Sequence, residues 1–289
     1  MMTKGKTVAG GRKAVIMNLI KLVLLASLLV LYMIPFFLIL VNSFKRKITI
    51  IKNPLMLADP KGFSFENYSS AFWEMNYLRA FGNSLLITFV SVVFIVLFAS
   101  MAAYFFARTR SFAAKFSFSL IVAAMVIPFQ TIMIPLISIY GNMLGMLNMR
   151  STLIFMNTGF GMGLAIFIYY GFIRSGVPVS LEEAAIIDGC TPYQLFFKIV
   201  FPLLKPTTAT LVVLDVLWLW NDYLLPSLIL GKKRLYTLPL STYTFYGTYS
   251  SDLGKIMAGL VLTILPVIVI YLILQKQIIS GVVAGAVKA

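Results

Sequence analysis

The chain has 289 residues, 60% of them hydrophobic and 11% charged, with a mean hydropathy of +0.95. A water-soluble domain carries roughly a quarter charged residues, so this composition excludes one and requires lipid as part of the solvent. A net charge of +15, no His and a single Cys, Cys190, leave little room for metal sites or a catalytic triad and none for an intrachain disulfide.

Six apolar runs of about 20 residues read as membrane helices, at 18–42, 83–106, 117–139, 152–173, 206–229 and 257–275. The first follows Lys4, Lys6, Arg12 and Lys13, as a signal peptide would. Its apolar run is too long for a signal core and no small-x-small cleavage site follows, so it is expected to stay as an anchor behind a short segment, 1–17. The second and fourth contain no charged residue. Pro35, Pro128, Pro135 and Pro266 fall inside spans, either as plain kinks or as bends used in motion. Gly159-x-Gly161-x-Gly163 has no preceding strand and is no nucleotide fingerprint; it suits close helix approach.

The six spans form one membrane domain, 18–280, followed by a tail, 281–289. An even number of spans puts both termini on one side. Lys and Arg divide 13 to 11 between that side and the other, which leaves orientation open under the positive-inside rule. The basic residues flank apolar runs, and no nucleic-acid-binding motif accompanies them. There is no Gly-x-x-x-x-Gly-Lys-[Ser/Thr] loop either, so ATP cannot be bound and split by that route.

The connection between the fourth and fifth spans, 175–205, is the most informative stretch. Ser180 and Glu183 have capping-box spacing, which predicts a helix from Leu181, and Gly189 suits the left-handed position that ends it. Thr191, Pro192 and Gln194 restart a second helix before Pro202 and Pro206. Leu181, Ala184, Ala185, Ile187, Leu195 and Phe196 give this loop much apolar surface. It docks either on its own membrane domain or on another protein.

Here the sequence resembles a known family. Glu183-Ala184-Ala185, three residues, Gly189, nine residues, and Ile199-x-Phe201-Pro202 look like the "EAA" signature of binding-protein-dependent ABC importer permeases, with Phe201 where Leu is usual. Trp220-Asn221-Asp222-Tyr223-x-x-Pro226, Phe65-Glu66-Asn67-Tyr68, Phe81-x-Asn83-Ser84-Leu85 and Gly281-x-x-x-Gly285-Ala286-Val287-Lys288 resemble stretches of carbohydrate-type permeases. They fall on the side of the smaller subunit of maltose-type importers.

The resemblance implies an all-α membrane protein of six transmembrane helices with the type I importer permease fold. A cytoplasmic coupling helix would dock on an ATPase subunit through Glu183, Ala184, Ala185, Asp188 and Gly189. It implies no cofactor in this chain, ATP and Mg being held by the ATPases. The implied partners are a homologous permease in a heterodimer, two ABC ATPase subunits, an extracytoplasmic sugar-binding protein and the lipid bilayer, with no nucleic acid. The location implied is a bacterial cytoplasmic (inner) membrane with both termini cytoplasmic. The tail, Ala286 to Lys288, would reach toward the ATPase, unless Gly281-x-x-x-Gly285 only packs helices.

For a sugar, acids and amides bridge hydroxyls while aromatic rings cover C–H faces. Asp215 and Asp222 are the only acids in the spans, and an intramembrane acid faces the bundle interior or a cavity. Helical spacing puts Asp215, Trp218 and Asp222 near one face with Asn221 beside it, making these four the candidate substrate pathway. Asp222 and Asn221 serve equally as hydrogen-bonding groups at a helix end, and Trp220 and Tyr223 as interfacial aromatics. The outer segment 230–256, with Tyr243, Tyr246, Tyr249 and Ser250, either probes the binding protein or is a solvated loop. A gradient-driven secondary transporter is the rival reading: Asp215 could couple an ion, but the docking loop would then lack a purpose.

Overall fold

The computed structural model describes residues 12–246 and 252–286. Lys4, Lys6, Tyr249, Ser250, Val287 and Lys288 lie outside the described residues, as do most of segment 1–17 and the end of the tail. Among the described residues every regular element is a helix. On the way in, α1 (Arg12–Ser43) leads through α2 (Lys47–Lys52) and α3 (Glu66–Glu74) to α4 (Tyr77–Arg108). Then come α5 (Phe112–Ala124), α6 (Phe129–Ile137) and α7 (Arg150–Gly176). The connection holds α8 (Val179–Ile187), α9 (Pro192–Gln194) and α10 (Phe201–Leu203). Finally α11 (Lys205–Asn221), α12 (Leu224–Ile229), α13 (Leu238–Ser241) and α14 (Leu253–Ala286) complete the chain.

Four straight segments are long and apolar enough to cross a membrane: Ala14–Ser43, Tyr77–Arg108, Arg150–Gly176 and Leu253–Ile273. Two further candidates are bent pairs, Phe112–Ala124 with Phe129–Met143 at 98° and Pro192–Leu203 with Lys205–Asn221 at 74°. Counting each pair as one span gives six. The third span, expected as one run over 117–139, is broken before Pro128, which disfavours helix at the preceding residue and cannot donate a hydrogen bond. Past Pro135 the chain widens into a π-turn, Ser138–Met143.

The fifth span, expected over 206–229, also breaks. Asp222 turns extended (φ −67°, ψ 126°) and α12 restarts at Leu224, with Pro226 in its first turn where a missing N–H costs nothing. By contrast α1 and α14 continue unbroken through Pro35 and Pro266. The last helix does not stop at 280 either: Gly281 and Gly285 are part of α14, which continues to Ala286.

The centre of the bundle is the long pairing of α4 with α7. Ala99, Ala103 and Ala165 are almost wholly buried along this seam, and small residues let the backbones approach. At Gly161 an added Cβ would fall 2.4 Å from Ile95 Cδ1, so any larger residue there would have to displace the Ile95 side chain. The same core continues through Ile173 into Phe196, Val200 and Leu204, tying the connection between spans to the bundle. At the opposite end, α3, α14 and the segment around α13 close a second cluster on Trp220, which meets Phe81 edge-on at 5.6 Å. Trp220 is thus a core residue, 2% exposed, and not an interfacial aromatic. α1 leans on α14 and leaves its apolar residues facing outward, Leu25 and Val30 at 64% exposure, as a helix solvated by lipid or a neighbour would.

The segment between α1 and α4 folds over that same end. Lys45 is fully buried and donates to Asn42 Oδ1 and the Pro54 carbonyl, at 3.0 and 3.3 Å. Asn67 Nδ2 donates to the Ser43 and Lys45 carbonyls, 2.9 Å each, and Phe44 packs on Phe63, Phe65 and Tyr68. The Phe65–Tyr68 stretch therefore serves the fold, pinning α3 to the end of α1.

Candidate functional site

α8 begins two residues earlier than its capping-box spacing predicts. Pro178, with φ −64° and ψ 133°, precedes the helix, and no side chain accepts its first N–H groups. Ser180 therefore sits inside the first turn and the Ser180–Glu183 box does not form. The second box does: Thr191 Oγ1 accepts from the Gln194 N–H, and Gln194 Oε1 accepts from the Thr191 N–H. Gly189 takes φ +80°. Its N–H donates to the Ile186 carbonyl and that of Cys190 to the Ala185 carbonyl, both at 3.0 Å, the paired bonds of a left-handed helix stop.

The apolar residues of the connection divide between two surfaces. Leu195 and Phe196 are buried at 6% and 5% exposure; Phe196 packs into the α4–α7 core together with Val200, and its ring lies 5.5 Å from that of Tyr104. Ala185 also faces inward, at 5% exposure. Facing away from the bundle are Leu181 at 42%, Ile186 at 59% and Ile187 at 85%, with Glu183, Ala184, Asp188 and Gly189 exposed beside them.

What fastens α8 to the bundle is Glu182, a residue that sequence reasoning missed. It is 5% exposed. Arg108, the last residue of α4, donates from Nε and Nη2 to Glu182 Oε1 at 2.9 and 2.6 Å, and from Nη2 to the Val177 carbonyl at 2.9 Å. Tyr104 donates its hydroxyl to Glu182 Oε2 at 2.9 Å. Two signals pointed there: Arg108 closes a long uncharged run, and Glu182 shares a helix face with Ala185, not with Glu183.

A cavity of about 980 Å³ opens where the third span breaks, between that break, α7 and the end of α11. Gln130, Tyr140, Phe160, Trp218 and Asp222 are among its lining residues. Of the four candidate pathway residues, it brings together Trp218, 47% exposed, and Asp222. Asp215 does not line it; it is packed inside at 4% exposure, with Oδ2 unpartnered. Asn221 is exposed and donates to the Leu217 carbonyl at 2.7 Å. Asp222 Oδ1 accepts from the Leu224 N–H at 3.0 Å, so it caps α12 while bordering the cavity. Gln130 and Tyr140 went unread because the break that exposes them was not foreseen.

Comparison with known proteins gives this geometry a family. Residues 95–283 match the binding-protein-dependent transport system inner membrane component family. A probable starch degradation products transport system permease protein of Thermoanaerobacterium thermosulfurigenes is 44% identical over 258 residues, 89% of this chain and 92% of that protein. The melibiose/raffinose/stachyose import permease protein of Bacillus subtilis is 38% identical over 257 residues, with the same coverage of 89% and 92%. A solved bacterial ABC transporter involved in import of the acidic polysaccharide alginate superposes with a TM-score of 0.75 at 22% identity, covering 92% of this chain and 98% of that one. The fold is that of a type I ABC importer permease, and the chain belongs to the binding-protein-dependent transport system inner membrane component family, as a multi-pass membrane permease.

Proposed function

We propose that this permease carries a sugar or oligosaccharide into the cytoplasm as one of two homologous membrane subunits, driven by two separate ABC ATPase subunits and fed by an extracytoplasmic binding protein. The names of the relatives support the substrate class: one serves starch degradation products, another melibiose, raffinose and stachyose. ATP and Mg belong to the ATPases, and this chain performs no covalent chemistry of its own.

The observation that carries the reading is the outward face of α8. Ile187, 85% exposed, points directly away from the face that Glu182 and Ala185 turn to the bundle, and Leu181 and Ile186 flank that face, also exposed. Exposed apolar residues outside the spans mark docking sites, and Phe196 and Val200 of the same connection are by contrast buried in the core. In this proposal Glu183, Ala184, Asp188 and Gly189 border the ATPase contact with Ile186 and Ile187, while Ala185 seats the helix. The loop and both termini are cytoplasmic in a bacterial inner membrane. Closure of the ATPases pushes α8, and α8 rocks the two permeases between inward- and outward-open states. The substrate passes Trp218 and Asp222, with Asp215 and Asn221 as supporting groups.

The test is reconstitution of the chain in vesicles with candidate ATPase, second permease and binding protein, scored as sugar uptake. Uptake should require ATP and the ATPase, and Ile187→Asp should abolish it. Uptake persisting without the ATPase would overturn the proposal in favour of a gradient-driven carrier.

A further inference from the structure

At the end of the bundle opposite α8, a cleft of about 630 Å³ is lined by Arg79, Asn148, Arg150, Ser151, Arg234 and Leu235. We infer that this cleft is a binding site for the phosphate of an anionic phospholipid headgroup. The inference rests on the membrane location of the chain and not on what it transports.

The charge is unbalanced. Three arginines converge, and among the described residues none forms an ion pair; the four pairs found there engage Arg46, Arg108 and Lys255. Lys232 and Lys233 add further positive charge next to Arg234 in sequence, and both are exposed. Arg150 Nε is buried with no hydrogen-bond partner, although a guanidinium N–H is costly to leave unpaired.

Two of the arginines sit where the local field opposes them. Arg79 lies in the first turn of α4 and Arg150 opens α7, and neither first turn contains an acid. A helix N-terminus carries partial positive charge and favours anions. An oxyanion in the cleft relieves both helices at once. Arginine in a fork around phosphate is the preferred geometry for that group.

Depth selects a lipid as the source. Arg79 and Arg108 lie 29 residues apart on α4, ~43 Å at 1.5 Å per residue. Arg150 and Arg174 lie 24 residues apart on α7, ~36 Å on the same rise. The hydrocarbon layer is about 30 Å thick and reaches about 40–45 Å with headgroups. With Arg108 and Arg174 at one interface, Arg79 and Arg150 reach the phosphate layer of the other. Their sequence neighbours Leu78 and Met149 are exposed at 70% and 47%, offering apolar surface for the acyl chains. A carboxylate on a soluble partner would meet the protein further out.

The experiment is native mass spectrometry of the purified full chain in neutral detergent, titrated with phosphatidylglycerol or phosphatidylcholine of matched chains. The wild type should retain phosphatidylglycerol in preference, and inorganic phosphate at millimolar concentration should not displace it. Arg79→Gln, Arg150→Gln and Arg234→Gln should each lower phosphatidylglycerol affinity by about fivefold and leave phosphatidylcholine unchanged, with Arg150→Lys recovering part of the loss. Equal retention of the two lipids by the wild type overturns the proposal, whatever the variants do. So does one-for-one displacement by inorganic phosphate, which identifies a free-anion site. If the variants keep the lipid but lose capture of the binding protein, the cleft serves a carboxylate partner and the lipid assignment falls.

Discussion

Arg108 and Glu182 are 74 residues apart in sequence, yet the guanidinium grips one carboxylate oxygen through both Nε and Nη2, at 2.9 and 2.6 Å. Arg108 is the last residue of α4 and Glu182 lies in the first turn of α8. The bond therefore joins α8 to α4, one of the two helices at the centre of the bundle. Because Arg108 also holds the Val177 carbonyl, the entry into α8 is fixed along with its side chain. A push on the outer face of α8 is thus delivered to α4 and its partner α7.

Removing one charge of this pair should cost more than removing both. Glu182 and Arg108 side chains are 7% and 21% exposed, so either Glu182→Gln or Arg108→Gln leaves a poorly solvated charge alone. Each should destabilise the solubilised chain by about 2 kcal/mol, below the range for fully buried pairs because Arg108 is partly solvated. The double variant should cost less than the sum of the singles. Thermal unfolding in detergent measures all three, and additive losses would show that the two groups do not act together.

Gly189 tests the helix stop separately. Nothing lies within 4 Å of where its Cβ would be, so a side chain there meets no obstacle. The cost arises only from φ +80°: about 1 kcal/mol or more for Ala, less for Asn and most for a β-branched residue. ATP-driven uptake should fall in the order Gly, Asn, Ala, Val, with equal amounts of protein in the membrane. Full activity with Val would mean that the left-handed stop is dispensable.

How far the sequence exposed this site depended on what each signal reports. Apolar run length marks spans because lipid demands it: four of the runs fall on single long helices, the third on a bent pair, and the fifth on α11 and α12. The stop at Gly189 and the box at Thr191 were readable because both are local hydrogen-bond devices. The breaks before Pro128 and at Asp222 were not foreseen, since hydropathy is blind to backbone direction. Of the expected common face of Asp215, Trp218 and Asp222, the last two do line one cavity, while neighbouring elements cover Asp215, which hydropathy and spacing on one helix do not report. Glu182 was missed for a related reason: its spacing marks the face it shares with Ala185, but its partner is on another helix and local spacing does not name it.

Cys190 offers a direct measure of orientation. It is the single cysteine of the chain, follows Gly189 at the end of α8, and is partly exposed. A membrane-impermeant maleimide should label it in inverted vesicles and not in right-side-out ones. Addition of the ATPase subunits should slow the reaction, since they would cover α8. Labelling of right-side-out vesicles alone would reverse the proposed topology.

Acid should release the segment between α1 and α4 only at low pH. The hydrogen-bonded Arg46 guanidinium, helped by the Lys61 N–H and the Thr49 side chain, holds the Asp59 carboxyl well below its usual 3.8. A depressed carboxylate pKa stabilises the fold fully above the unfolded value and loses that contribution as pH falls toward the folded one. Protease cleavage within residues 47–65 should therefore be constant from about pH 5 to 8 and rise only below about 4, set by the ordinary carboxylate range. Asp59→Asn should raise cleavage across the whole range. A change centred near neutrality would point to a different group.

Asp222 has two roles that substitution can separate. Its Oδ1 accepts from the Leu224 N–H at the start of α12, and the residue also borders the cavity beside Trp218. Asn keeps an oxygen for the cap and removes the charge; Ala removes both, at about 1 kcal/mol for the lost cap. If the carboxylate meets substrate hydroxyls, Asp222→Asn should raise the KM of transport several-fold with stability unchanged, and Asp222→Ala should add a loss of stability. Trp218→Ala, which removes a half-exposed ring from the same wall, should raise KM likewise without affecting assembly. Transport by Asp222→Asn indistinguishable from wild type would confine Asp222 to the cap and move the search for substrate contacts to Gln130 and Tyr140 across the cavity.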